Sequence, residues 1–214
     1  MPGFVCQGAV LDRRDSHPRL QKSSKGENMR IVAGEHRGRT LAVPKGLDTR
    51  PTTDRVREAV MSSIFSKLGG FEGVHILDAF SGTGAMGLEG MSRGASSAVL
   101  NDMSSDAREC IASNVEMLHY DDGRVRVTST DIFKEGFPRN RDKYDLVFLD
   151  PPYAIGQQEI DRIIREARDV QMLSPECLIV YEHASGYDTS DSEDIVLLDE
   201  RVYGKTFVSY LTVA

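Results

Sequence analysis

Beyond position 73, short apolar runs alternate with longer stretches of helical periodicity, and this alternation restricts the fold more than any other feature of the chain. The strand-like runs cover 74–77, 98–100, 125–128, 146–149 and 178–181. Helices are expected between them, over 85–93, 106–118 and 159–168. The last two collect Ala107, Ile111, Val115 and Leu118 on one face, and Ile160, Ile163, Ile164 and Ala167 on another. Strand, helix and strand in succession close as right-handed βαβ units. The expected fold is therefore α/β, with a mostly parallel seven-stranded sheet and helices on both faces. The last two runs, 195–198 and 207–213, are separated by 199–206 with no helix, so they should form a C-terminal antiparallel hairpin.

Upstream the texture changes. Residues 29–32 and 40–43, around a turn region bounded by Gly34 and Gly38, predict a small N-terminal hairpin. Thr52, Thr53 and Asp54 are cap candidates for a helix that carries Val56, Val60, Ile64 and Leu68 and stops at Gly69-Gly70. Residues 1–28 are polar and aperiodic, so a disordered extension is expected there, with Met29 a candidate natural start. This divides the chain into the extension (1–28), a hairpin and helix (29–70) and a main domain (71–214). No apolar run reaches the ~18 residues of a membrane span, and the first residues lack a basic leader. Cys6, Cys110 and Cys177 are odd in number and far apart, which offers neither a disulfide framework nor a metal clip. The five histidines share no ligand spacing. A soluble, cytoplasmic protein without a metal is the expectation.

The net charge is −7, which argues against a surface that grips phosphate everywhere. Yet residues 29–57 concentrate Arg30, Arg37, Arg39, Lys45, Arg50, Arg55 and Arg57 against only Glu35, Asp48 and Asp54. A local basic patch on an acidic body follows.

Directly after the first sheet strand, residues 78–87 read Asp-Ala-Phe-Ser-Gly-Thr-Gly-Ala-Met-Gly. Gly82, Gly84 and Gly87 satisfy a dinucleotide-binding spacing, and Asp102 ends the next strand where that pattern wants an acid. Asp78 separates the options. A carboxylate before the loop repels a pyrophosphate, whereas it can accept hydrogen bonds from the ammonium group of S-adenosylmethionine. In that reading Ser81, Gly82 and Gly84 lie against the ligand, Asp102 takes the ribose hydroxyls and Asp131 accepts from the adenine amine. Phe80, Met103 and Ile132 supply apolar surface around the ring. The plainer alternatives are that Asp102 caps the following helix and Asp131 a turn.

Residues 145–149 form a buried strand, and Asp150-Pro151-Pro152-Tyr153 leaves its carboxyl end, where open α/β sheets place their ligands. An exocyclic amine on a base is a poor nucleophile because its lone pair is delocalised into the ring. The Asp150 carboxylate and the Pro151 carbonyl can both accept from that amine and aim its lone pair, while Pro151 and Pro152 fix φ and stiffen the alignment. Tyr153 can stack on a base taken out of its helix.

On these residues, the chain resembles the bacterial 16S ribosomal RNA guanine-N2 methyltransferase family, over essentially all of 29–214. The likeness rests on residues 29–34 with Arg37-Gly38-Arg39, on 50–58, on 78–84, on 150–153 and on 203–206. It implies a Rossmann-type methyltransferase that modifies one guanine of small-subunit ribosomal RNA within an assembling particle, with no membrane and no obligate protein partner. It also implies that 50–58 lies beside the active site, where Arg50, Thr52, Thr53, Arg55 and Arg57, with Arg37 and Arg39, are candidate RNA contacts. Asn101-Asp102 departs from the Glu often found at the second strand's end, and 1–28 has no counterpart. The competing readings are a DNA-adenine or protein-glutamine methyltransferase, a non-catalytic RNA-binding assembly factor, and an NAD-linked oxidoreductase, which Asp78 disfavours.

Overall fold

The computed structural model describes residues 29–44, 53–120, 122–152, 154–189 and 194–214. The expected disorder of 1–28, together with Arg50, Thr52 and Tyr153, lies outside the described residues. The elements are α1 (Asp54–Leu68), β1 (His75–Asp78), α2 (Ala85–Ser92), β2 (Ser97–Asn101), α3 (Ser105–Met117), β3 (Val125–Thr128), α4 (Ile132–Glu135), β4 (Tyr144–Leu149), α5 (Gln157–Asp169), β5 (Leu173–His183), β6 (Ile195–Tyr203) and β7 (Thr206–Val213). One seven-stranded sheet runs β3-β2-β1-β4-β5-β7-β6. β1 to β5 are mutually parallel, and β7 is antiparallel to both β5 and β6.

Side chains alternate across the strands, so the sheet feeds two cores. Ile76, Leu146, Phe148, Leu178 and Val180 meet α1, α2 and α3 on one face. Leu77, Val147, Leu149, Ile179 and Tyr181 meet α4 and α5 on the other. α1 starts where the Thr53 hydroxyl accepts from Val56 N–H at 3.4 Å and ends where Gly69 takes a left-handed conformation, φ 75°. Among the described residues no helix is long and apolar enough to cross a membrane.

The structure sharpens the sequence expectations at three places. The expected hairpin of 29–43 is short: an antiparallel bridge joins Arg30 and Thr40, Ile31 N–H donates to the Arg39 carbonyl (2.9 Å) and Leu41 N–H to the Met29 carbonyl (2.8 Å), and the backbone beside it bonds α2 and α3. The link expected at 199–206 is mostly strand, since β6 runs to Tyr203 and only Gly204 and Lys205 turn. The short helix α4 carried too few residues to show a period.

Residues 29–44 are clamped onto the main domain. The buried Glu89 carboxylate on α2 accepts from Val32 N–H (2.7 Å) and Ala33 N–H (3.0 Å), and it pairs with Arg93 (2.9 Å). Gly34 has φ 83°, and a Cβ there would sit 1.8 Å from the Ser92 carbonyl oxygen, so only glycine fits this approach. Asn114 on α3 accepts from Ala42 N–H (2.7 Å) and donates to the carbonyls of Ala42 (3.1 Å) and Thr83 (3.0 Å). Ile31 and Leu41 join the core beside α1.

Candidate active site

The carboxyl ends of four adjacent parallel strands bring an acid each to one edge of the sheet: Asp78 ends β1, Asp102 follows β2, Asp150 follows β4, and Glu182 is the next-to-last residue of β5. This is the edge at which open α/β sheets bind ligands. Asp78 is buried, and its Oδ2 accepts from Gly87 N–H at 3.0 Å. Gly87 has no room for a side chain, since a Cβ would lie 2.3 Å from a Leu100 methyl and 3.3 Å from Asp78 Cβ.

The loop between them is held by its own bonds. The Ser81 hydroxyl donates to the Asp78 carbonyl at 2.7 Å, and Gly84 N–H donates to the Ser81 carbonyl at 2.7 Å. Gly82 and Gly84 both take positive φ, 54° and 78°. Gly82 N–H donates to Asp102 Oδ2 at 2.8 Å, and Ser104 N–H donates to Oδ1 at 2.9 Å. Asp102 is thus fixed across the mouth of the loop, while Ser104, not Asp102, caps α3. Asn101, the unusual neighbour, donates to the carbonyls of Ala79 and Thr130 and so ties the loops after β1 and β3 together.

Asp131 precedes α4 without capping it and is paired with Lys134 at 2.7 Å, a bond that holds its carboxyl below the usual range. Ile132 is buried in the core, and Met103 is exposed. Phe80 is half-buried and stacks on Phe133, with ring centroids 5.6 Å apart. After β4, Pro151 is buried, and the Pro152 carbonyl accepts from Ile155 N–H at 2.9 Å, which turns the chain.

Burial raises all three of Asp78, Asp150 and Glu182, and neighbouring acids add to it at Asp78 and Glu182. Burial pushes the Asp78 carboxyl up to about 7; the Gly87 bond opposes this, and the charges of Asp150 and Asp102 add to it. Asp150 keeps surface open to the crevice, yet the protein around it pushes its carboxyl up to about 6. Glu182 is half-buried and pushed up to about 7 by burial and by Asp150. The charged neighbours that act on them are acids: Asp150 and Asp102 on Asp78, and Asp150 on Glu182. No group of three or more His, Cys, Asp or Glu among them could hold a metal ion. The crevice is therefore an anionic hollow that suits an organic cation.

The basic stretch divides. Arg37, Arg39 and Arg55 are exposed, and Thr53 serves as the α1 cap. Arg57 is a correction: only 1% exposed, it donates to the Arg30 carbonyl and to Asp54, each at 2.7 Å, and lies 3.9 Å from Glu89. A guanidinium enclosed in this way cannot reach a phosphate. Sequence reading also passed over Glu182, which sits one residue beyond the run at 178–181. The rule that singled out Asp78, Asp102 and Asp150, an acid at the carboxyl end of a strand, would have found it.

A sheet of this order, with a glycine loop after β1 and an Asp-Pro-Pro turn after β4, defines a Rossmann-like methyltransferase. The family described as Conserved hypothetical protein 95 matches residues 29–212. The ribosomal RNA small subunit methyltransferase D of Escherichia coli strain K12 is 35% identical over 156 residues, 72% of this chain and 74% of that protein. Its Haemophilus influenzae namesake is 31% identical over 191 residues, 88% and 94% of the two chains. The solved structure of yhhF from Escherichia coli superposes with a TM-score of 0.71 at 29% identity, covering 87% of this chain and 98% of its own. The chain belongs to this rRNA methyltransferase family.

Proposed function

We propose that the protein transfers a methyl group from S-adenosylmethionine to the exocyclic amine of a guanine in 16S ribosomal RNA, on an assembling small subunit. The observation that carries this reading is the hollow of Asp78, Asp102, Asp150 and Glu182, un-neutralised by any described cation, around a glycine loop. A donor that bears both an ammonium and a sulfonium charge answers that field; a pyrophosphate does not. Bound there, it supplies an activated methyl group. Asp78 accepts from the ammonium, Ser81, Gly82 and Gly84 line the approach, Asp102 takes the ribose, and Asp131 accepts from the adenine amine. Phe80, Met103 and Ile132 supply apolar surface around the ring.

Asp150 and the Pro151 carbonyl orient the incoming amine, Pro152 stiffens the turn, and Tyr153 stacks on the base. Residues 29–70 form the RNA-facing part, through Arg37, Arg39, Arg50, Thr52, Thr53 and Arg55. The test is incubation with a labelled donor and, separately, small-subunit particles, naked RNA and DNA, followed by mapping of modified bases in ribosomal RNA from cells lacking the protein. Label should enter a guanine amine of 16S RNA. Label in DNA alone, or in none of the three, overturns the reading.

Donor binding should depend on pH in a set direction. A neutral Asp78 cannot pair with an ammonium, and its carboxyl ordinarily titrates near 3.8 but sits at about 7 in the fold. Donor affinity is thus expected to rise with pH by up to about tenfold per unit until about 7 and then level off, with a proton released on binding below that point. Calorimetry in buffers of different ionisation enthalpy measures this release. Affinity that stays flat across the same window would remove Asp78 from the ammonium site. For the free protein the sign reverses: a carboxyl raised in the fold favours the native state at low pH, and that contribution fades as pH climbs from about 4 through about 7.

A further inference from the structure

Glu182 stands beside Asp150 for a topological reason. β4 and β5 pair in parallel with Leu149 opposite Tyr181, so the next residues, Asp150 just past β4 and Glu182 near the end of β5, come side by side and toward the same face. On its other side Glu182 is opposite Val208 of β7, which is buried and apolar. The adjacent His183 belongs to the opposite face, where its ring stacks on Tyr181 at 4.4 Å and its Nε2 lies 2.7 Å from the Ser209 hydroxyl. On α1, which packs against β5, Arg57 is taken by Asp54 and Lys67 by Asp199, while Arg55 and Glu58 are exposed. Asp150 is the charged group that Glu182 senses among the described residues.

The proposed chemistry leaves a proton to be accepted. The amine nitrogen forms a bond to the methyl carbon as the carbon–sulfur bond breaks, and that bond's electron pair stays on sulfur. The nitrogen, previously neutral, would then carry a positive charge and one proton too many. Asp150 is already engaged in holding the amine. We propose that Glu182 is the catalytic base that takes this proton, the N–H pair returning to nitrogen as the new N–C bond forms, after which the protonated Glu182 loses its proton to water. This assignment rests on the methyl-transfer reading and deepens it. A base is best matched when its affinity for a proton lies near the working pH, and burial together with the neighbouring Asp150 charge brings Glu182 to about 7.

The test compares wild type with Glu182→Gln, which keeps the size and the hydrogen-bonding shape but cannot accept the proton. Single-turnover methylation of the ribosomal RNA substrate should fall by roughly a hundredfold, with the acid limb of the pH–rate profile displaced from its wild-type position near 7. With the donor saturating for each protein, the melting temperature should hold, and Glu182→Asp should recover part of the rate. A Gln variant with the wild-type rate and the same acid limb overturns the proposal. So does a rate loss that merely tracks lost donor affinity or lost stability. Wild-type transfer to ribosomal RNA tests the underlying function, whereas the ratio of variant to wild type on that same RNA tests Glu182 alone.

Discussion

Asp150→Ala should bind the methyl donor about as well as the wild type and methylate RNA roughly a thousandfold more slowly, the size of loss that follows removal of an aligned polar group at a reacting centre. The amine that we assign as nucleophile is held flat by conjugation with its ring, and Asp150 offers the acceptor that draws it toward the donor. Without it the amine can still enter, but its lone pair is not aimed. Donor binding should survive because the contact with the ammonium is assigned to Asp78, and because the charge of Asp150 raises Asp78. Removing that charge lets Asp78 ionise more readily, so near pH 6 donor affinity should hold or improve. Equilibrium binding and single-turnover rates on one preparation measure both effects. Full activity in this variant would refute the role.

Glu89→Ala should cost the fold about 3–5 kcal/mol, the usual consequence of deleting one partner from a buried ionic group. The Glu89 side chain is wholly buried and holds Val32 N–H, Ala33 N–H and Arg93, with Arg57 Nε 3.9 Å away. Truncation strands two backbone donors and leaves two guanidinium groups without their common counter-charge. In a chain of this size the melting temperature should fall by roughly 10 °C, read by thermal unfolding. Glu89→Gln should fall less, since it keeps an acceptor, and a drop under about 2 °C for the Ala variant would show that the cluster is not what secures 29–44.

Much of this was legible in the residues themselves, and the gaps have physical causes. The βαβ alternation exposed the sheet because each buried strand, such as 146–149, is a continuous apolar run bounded by polar turns. Asp78 and Asp102 could be placed at one edge because each closes such a run in the same direction. Arg57 misled because a one-dimensional reading cannot tell an arginine facing solvent from one facing a buried acid. Its partner Glu89 is 32 positions away, and the intervening sequence records no contact between them. β6 was cut short because Asp199, Glu200 and Arg201 look like a loop. They are strand residues on the outermost strand of the sheet, where charge is tolerated and discourages further pairing.

The two-handed grip of Asn114, on Ala42 at one end and Thr83 at the other, leaves the segment that we assign to RNA and the loop that we assign to the donor sharing a single amide. A shift of backbone in either partner reaches the other through about one side-chain length. Any influence that RNA exerts on the donor along this route must be returned by the donor on RNA in equal measure, because linkage between two ligands runs both ways.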